Sequence, residues 1–271
     1  ALFNVKHGGG VMIRAGYTLC LLLFFFFMPV LPFRAALSAE DMSPREIACR
    51  IDDLYRGSSS HAVMRLRVST GLSERETMLE AWSKGRKYTL VRTLEPSGQR
   101  GHSIVKLGKS IWSYLPDVGR VIKLPPSMAG APWLGSHLTL SDAVRGDMLS
   151  EDYLAEITFT GIREKTEVIE ITLRPDPASQ TIWSKVIATV RQSDLLPLNI
   201  EFYGDKADLV QTMTYSGIRE LGSRMLPSII RITPAGESGA FTEITYEAIR
   251  FDVEIDEDCF SLKSLMTPES L

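Results

Sequence analysis

The stretch from Ser103 to Leu124, SIVKLGKSIWSYLPDVGRVIKL, holds three runs of five or six residues: Ser103–Leu107, Ser110–Leu115 and Arg120–Leu124. β-Branched and aromatic residues enrich them, as strands require. The breaks between them are Gly108-Lys109 and Pro116-Asp117-Val118-Gly119. Connections this short, built from Gly, Pro and Asp, join antiparallel neighbours, because a parallel return needs a long crossover. The segment therefore predicts a meander.

The same pattern extends in both directions. Upstream, Ala62, Met64, Leu66 and Val68 alternate with Val63, Arg65, Arg67 and Ser69 in a run from His61 to Thr70, and Thr77–Ser83 and Lys87–Leu94 follow, the last closed by Pro96-Ser97-Gly98. Period-2 alternation is the mark of a strand with one buried face. Downstream come Ala155–Thr160, Glu167–Leu173, Thr181–Arg191, Leu198–Tyr203, Leu209–Tyr215, Met225–Thr233 and Phe241–Val253. Strands without alternating helices predict one antiparallel sheet, and so many strands in a sheet must coil. One helix opens this body. Ser43 as N-cap, Pro44 at the first position and Glu46 complete a capping box, Ile47, Ile51, Leu54 and Tyr55 form its apolar stripe, and Gly57 is expected to stop it.

Residues 125–148, PPSMAGAPWLGSHLTLSDAVRGDM, break the pattern, showing Met128, Trp133, Leu134, Leu138 and Leu140 among prolines and small residues. A connection of this length inside a compact domain is either a lid or binding loop, or a helix-bearing crossover packed on the sheet.

Residues 1–39 hold Lys6, Arg14 and Arg34 and no acid, around an apolar run from Tyr17 to Phe33. Arg14, the core Leu19–Met28 and the small residues Ala35–Ala39 read as a cleavable export signal with processing near Ala39, Met12 as the start of translation and residues 1–11 as upstream sequence. The alternative is an uncleaved inner-membrane anchor through residues 15–33. We read residues 40–271 as one domain. It carries 27 basic and 33 acidic side chains, about −6 formally, so it lacks the basic surplus that nucleic-acid binding draws on. Its two cysteines, Cys49 and Cys259, either bridge the two ends or remain ordinary thiols.

Fragments that imitate catalytic motifs fail on context. Gly108-Lys109-Ser110 lacks the first glycine of a phosphate loop, where Ser103 stands, and the following helix, and Gly236-Glu237-Ser238-Gly239-Ala240 has Ala240 for the last glycine of a nucleophile elbow and lies between strands rather than before a helix. His61, His102 and His137 are scattered without metal-ligand spacing. The reading is a non-enzyme with no cofactor.

Three blocks carry a family likeness: Ser110-Ile111-Trp112-Ser113-Tyr114-Leu115-Pro116 with Gly119–Leu124; Ser127-Met128 and Trp133-Leu134-Gly135-Ser136 with Leu140-Ser141-Asp142; and Ile249–Val253 through Phe260-Ser261-Leu262. Together they resemble the outer-membrane lipoprotein-sorting, LolA-like group of periplasmic carriers. The resemblance implies a mainly β fold with a helical lid: a curved antiparallel sheet forming an incomplete barrel, one N-terminal amphipathic helix and a lid-like insertion. It further implies a periplasmic carrier or chaperone that holds acyl chains of lipoproteins or lipids, with an inner-membrane exporter as a partner. On that model Trp112, Tyr114, Met128, Trp133 and Leu134 are the residues expected nearest the ligand. The alternatives are a sensor of the same shape, similar to the RseB-like proteins that bind a membrane signalling partner, and, less favoured, an exported hydrolase.

Overall fold

The computed structural model describes residues 42–266 except 129, 146–148 and 180, so the expected export signal with its cleavage site, or the alternative anchor, lies outside the described residues. The capping box forms as expected: the Glu46 amide donates to Ser43 Oγ at 3.3 Å and the Ser43 amide to Glu46 Oε2 at 2.7 Å, starting helix α1 (Pro44–Asp52). The helix ends ahead of Gly57. Its last turn unwinds into bonds from Leu54 to the Ile51 carbonyl and from Arg56 to that of Asp53, while Gly57, at φ +62°, supplies the left-handed bend into the first strand.

Thirteen strands follow: β1 (Ser59–Thr70), β2 (Glu74–Lys84), β3 (Tyr88–Glu95), β4 (Ser103–Leu107), β5 (Ser110–Leu115), β6 (Arg120–Leu124), β7 (Tyr153–Arg163), β8 (Thr166–Pro175), β9 (Lys185–Arg191), β10 (Pro197–Tyr203), β11 (Leu209–Leu221), β12 (Arg224–Pro234) and β13 (Ala240–Phe251). They form one antiparallel sheet ordered 6-5-4-3-2-1-13-12-11-10-9-8-7, not closed into a barrel. Every pair consists of chain neighbours except β1 with β13, where two meanders meet. The sheet's edges, β6 and β7, are therefore consecutive in the chain. Residues 125–152 connect them through short 3₁₀ turns, α2 (Leu140–Arg145) and α3 (Leu149–Asp152), so this segment is a helix-bearing crossover from edge to edge.

Alternation sorts side chains onto two faces. One cross-strand row runs Ala62–Ala81–Val91–Ile104, and the next runs His61–Trp82–Leu90–Val105–Trp112 on the opposite face. On the inner face, α1 packs its Ile47, Ala48 and Ile51 against Ile171, Val186, Ala188, Ile200 and Phe202 of β8–β10. The crossover brings Leu138, Val144 and, half-buried, Trp133 and Leu134 onto Leu66, Leu79, Val91 and Ile104 of β1–β4. Leu54 and Tyr55, the rest of the expected helical stripe, turn to a separate cluster with Leu196, Leu221 and Leu226.

The outer face of β2–β5 is buried as well. The C-terminal tail, with Cys259, Phe260, Leu262 and α4 (Leu262–Leu265), lies over Trp82, Leu90, Val105, Trp112 and Tyr114. Arg92 Nη2 and Ser103 Oγ donate to the Ser264 and Leu265 carbonyls at 2.7 and 2.9 Å, satisfying two acceptors at the end of α4. This arrangement settles the cysteines. Both are free thiols, Cys49 on a helix of the inner face and Cys259 in the outer cluster, so the bridge that the sequence allowed is not formed.

Candidate functional site

A hollow of about 230 Å³ lies between α1, the crossover and the inner face of the sheet. At about 30 Å³ per water in the liquid that is room for roughly eight waters, well beyond a packing defect. Its walls are Ala62 and Met64 of β1, Leu79 and Ala81 of β2, Val91 of β3, Ile200 of β10, Met213 and Tyr215 of β11, Ile230 of β12 and Ile244 and Tyr246 of β13, with Ile51 and Tyr55 on one side and Trp133, Leu138 and Val144 on the other. β3 and β10 stand six spacings apart in the sheet, about 29 Å if it were flat. Both border this one hollow, so the sheet is strongly bent around it.

The space exists because of particular residues. Ala62 and Ala81 face each other across β1 and β2 where larger aliphatic side chains would meet, and flexible Met64 and Met213 border the gap. At the α1 end the lining turns polar with Asp52, Arg56, Ser60, Ser83 and Thr89.

Of the residues expected nearest a ligand, Trp133 lines the hollow and Leu134 packs beside it in the inner cluster. Leu134 adopts φ +46°, a left-handed conformation that side chains resist, and Arg75 of β2 holds its carbonyl through a guanidinium hydrogen bond. Met128 is 42% exposed and is not among the lining residues. Trp112 and Tyr114 lie away from the hollow. They point to the outer face and pack under the C-terminal tail, the sheet standing between them and the hollow.

Polar tethers hold the crossover over the hollow. His137 contacts Thr242 Oγ1 of β13 through its amide at 2.9 Å and its Nδ1 at 2.8 Å. Asp52 of α1 accepts the Leu149 amide at 2.9 Å, the Ser150 amide at 2.9 Å and Ser150 Oγ at 2.6 Å, so its carboxylate caps α3. Arg86, in the β2–β3 turn, donates to both Asp53 oxygens at 3.1 and 3.0 Å, to Glu151 at 2.8 Å and to Ser150 Oγ at 3.2 Å. Helix α1 and the end of the crossover are thus clasped by charge-assisted bonds made outside the sheet ladder.

Burial raises the Asp52 pKa to about 6, against the opposing pull of its bonds to Ser150 and Leu149 and of Arg86. An exposed aspartate titrates near 3.9, so between roughly pH 4 and 6 the folded chain holds this proton more tightly than the unfolded chain does. The stability from this group is complete below about pH 4 and is lost as pH rises through about 6, on the order of 3 kcal/mol. Glu46 and Asp252, whose carboxyls are held below their usual values by hydrogen bonds from Ser43 and Ser58, act in the opposite sense at more acidic pH. Thermal melts across this window should show stability falling toward neutrality, and Asp52→Asn should flatten the slope. An unchanged slope in Asp52→Asn would remove Asp52 as its source.

Among the described residues no group of three or more His, Cys, Asp or Glu side chains is placed to hold a metal ion, and no helix is long and apolar enough to cross a membrane. The fragments that imitate catalytic motifs are hairpin turns, Gly108-Lys109 between β4 and β5 and residues 235–239 between β12 and β13.

An open antiparallel sheet bent around an apolar hollow, under one helix and a tethered crossover, defines the LolA-like fold. The chain superposes on a LolA superfamily protein of Nitrosomonas europaea with a TM-score of 0.70 at 22% identity, covering 82% of this chain and 99% of that one. A DUF1329 family protein of Desulfovibrio piger gives 0.74 at 20% identity over 83% and 100% of the two chains. A domain assigned to outer membrane lipoprotein sorting, from Vibrio parahaemolyticus, gives 0.69 at 20% over 84% and 100%. Residues 85–267 match the model of a family described as "Uncharacterized protein"-like, and the chain belongs to that family. No curated protein matches it in sequence.

Proposed function

We propose that the protein is an exported, periplasmic carrier that shelters acyl chains of lipids or lipoproteins in its inner hollow and makes or breaks no bonds. The observation that carries this reading is the hollow itself: an apolar space between a bent sheet and a cover held by polar clasps. An acyl chain offers no polar handle along its length, so affinity must come from area removed from water. Each buried methylene contributes about 0.8 kcal/mol, so ten give roughly 8 kcal/mol before the costs of association. That range suits cargo that must be both held and released. An inner-membrane exporter fits as the donor of such cargo, and the fold likeness to a lipoprotein-sorting domain agrees with the direction toward the outer membrane.

The test is chemical extraction of the protein purified from exporting cells, followed by uptake of a fluorescent fatty acid by the delipidated protein. Bound lipid and saturable uptake are expected. Neither bound lipid nor uptake would overturn the reading, and co-purification of an inner-membrane signalling protein in their place would move the chain to the regulators of this fold.

A further inference from the structure

Arg56 follows α1 and borders the polar end of the hollow, where its Nη1 is buried and has no hydrogen-bond partner. A guanidinium stays charged in proteins, so burial cannot be relieved by losing the proton. Burial does push its pKa down, with Asp52 and Asp53 pulling the other way. Those two carboxylates are engaged elsewhere. Asp52 accepts three bonds from Leu149 and Ser150, and Asp53 is gripped through both oxygens by Arg86. No neighbouring hydroxyl accepts from Nη1 either: Ser60 contacts Ser83 at 2.8 Å and the Tyr55 carbonyl at 3.2 Å, and Tyr55 donates to the Pro227 carbonyl at 2.8 Å. An unpaired buried donor is costly, and a buried charged one more so.

Resting on the carrier reading, we infer that Arg56 is a headgroup-binding residue: the hollow takes a single-chain amphiphile with an acidic headgroup, the oxyanion on the Arg56 guanidinium and the chain between Ala62, Ala81, Met213 and Ile244. Among the described residues Arg56 is the one cation of the lining, whose other charged residues are the carboxylates Asp52 and Asp142, so it sets the orientation, head on Arg56 and tail along the apolar walls. An anionic oxygen supplies the acceptor that Nη1 lacks, and such charge-assisted bonds are about twice as strong as neutral ones.

The experiment displaces N-phenylnaphthylamine, a neutral apolar probe, from the delipidated full chain with dodecanoate, dodecyl phosphate and dodecanol. Wild type should bind one or both acids at least tenfold more tightly than the alcohol, a ratio that corresponds to about one charge-assisted bond. The ratio of the two acids identifies carboxylate or phosphate as the preferred head. Arg56→Met should erase the discrimination while probe binding persists, and Arg56→Lys should keep part of it. Equal binding of acids and alcohol by wild type overturns the inference, as does displacement by free acetate or inorganic phosphate at the same concentrations, and discrimination that survives Arg56→Met does so too. Should Arg56→Met not fold, Arg56→Gln is read in its place by the same criterion. Failure of the probe to bind at all would instead bring down the carrier reading.

Discussion

Replacing Ala81 by tryptophan should abolish uptake of apolar probes, lowering affinity at least tenfold, while the chain stays folded. Ala81 lies in β2 between Ala62 of β1 and Val91 of β3, and all three border the hollow. An indole, which buries about 150–250 Å² where it is enclosed, would take the place of cargo. Inserting bulk into a packed core costs about 1–3 kcal/mol, but here the added ring enters space already present, so melting temperature should hold or rise. Probe titration and thermal melts of the two proteins are the measurements. Full uptake by a folded Ala81→Trp chain would mean that ligands sit elsewhere.

Truncating Phe260 to alanine should have the opposite signature: a large loss of stability with cargo affinity unchanged in the protein that remains folded. Phe260 is 1% exposed and stacks on Tyr88 with ring centroids 5.4 Å apart, holding the C-terminal tail on the outer face. Removing a buried phenyl group costs about 3–5 kcal/mol, or very roughly 6–20 °C in melting temperature for a domain of this size. Trp112→Ala belongs to the same cluster and should behave likewise. Loss of probe binding in Trp112→Ala without loss of stability would contradict its outward placement. Together with Ala81→Trp these substitutions separate the two faces of one sheet by experiment.

The sheet was legible because its signals are local. Strands β4, β5 and β6 are separated where the sequence places Gly108-Lys109 and Pro116–Gly119, and Gly119 adopts φ +60°, a conformation that glycine reaches without steric cost. Where such punctuation is weaker the limits moved: β11 runs on to Leu221, past Tyr215, and the strand expected from Thr181 begins at Lys185. The helix start was equally readable from Ser43, Pro44 and Glu46, but its end was not. Gly57 marks a bend, whereas the helix gives way where Leu54 and Tyr55 are drawn into another cluster.

The site was read only in part. Trp133 and Leu134 stand out because large apolar residues in an irregular segment need cover. Trp112 and Tyr114 share a face by alternation, but alternation does not say which face. Both faces of β2–β5 are greasy, since the C-terminal tail buries the outer one, and that burial joins residues about 150 positions apart. Arg56 left no sequence signal at all: an arginine after a helix is ordinarily a solvated one.

Thus the order of the residues was enough to determine thirteen antiparallel strands, a capped opening helix and an irregular segment between the sixth and seventh, because turn chemistry, alternation and capping act over a few neighbours. Only the tertiary structure decided that β1 pairs with β13, that the irregular segment bridges the two free edges, which face is hollow and which is sealed, and that Nη1 of the half-buried Arg56 is left without a hydrogen-bond partner. Those outcomes depend on contacts between residues far apart in the chain, where local preference carries no information and the geometry of the bent sheet determines what meets.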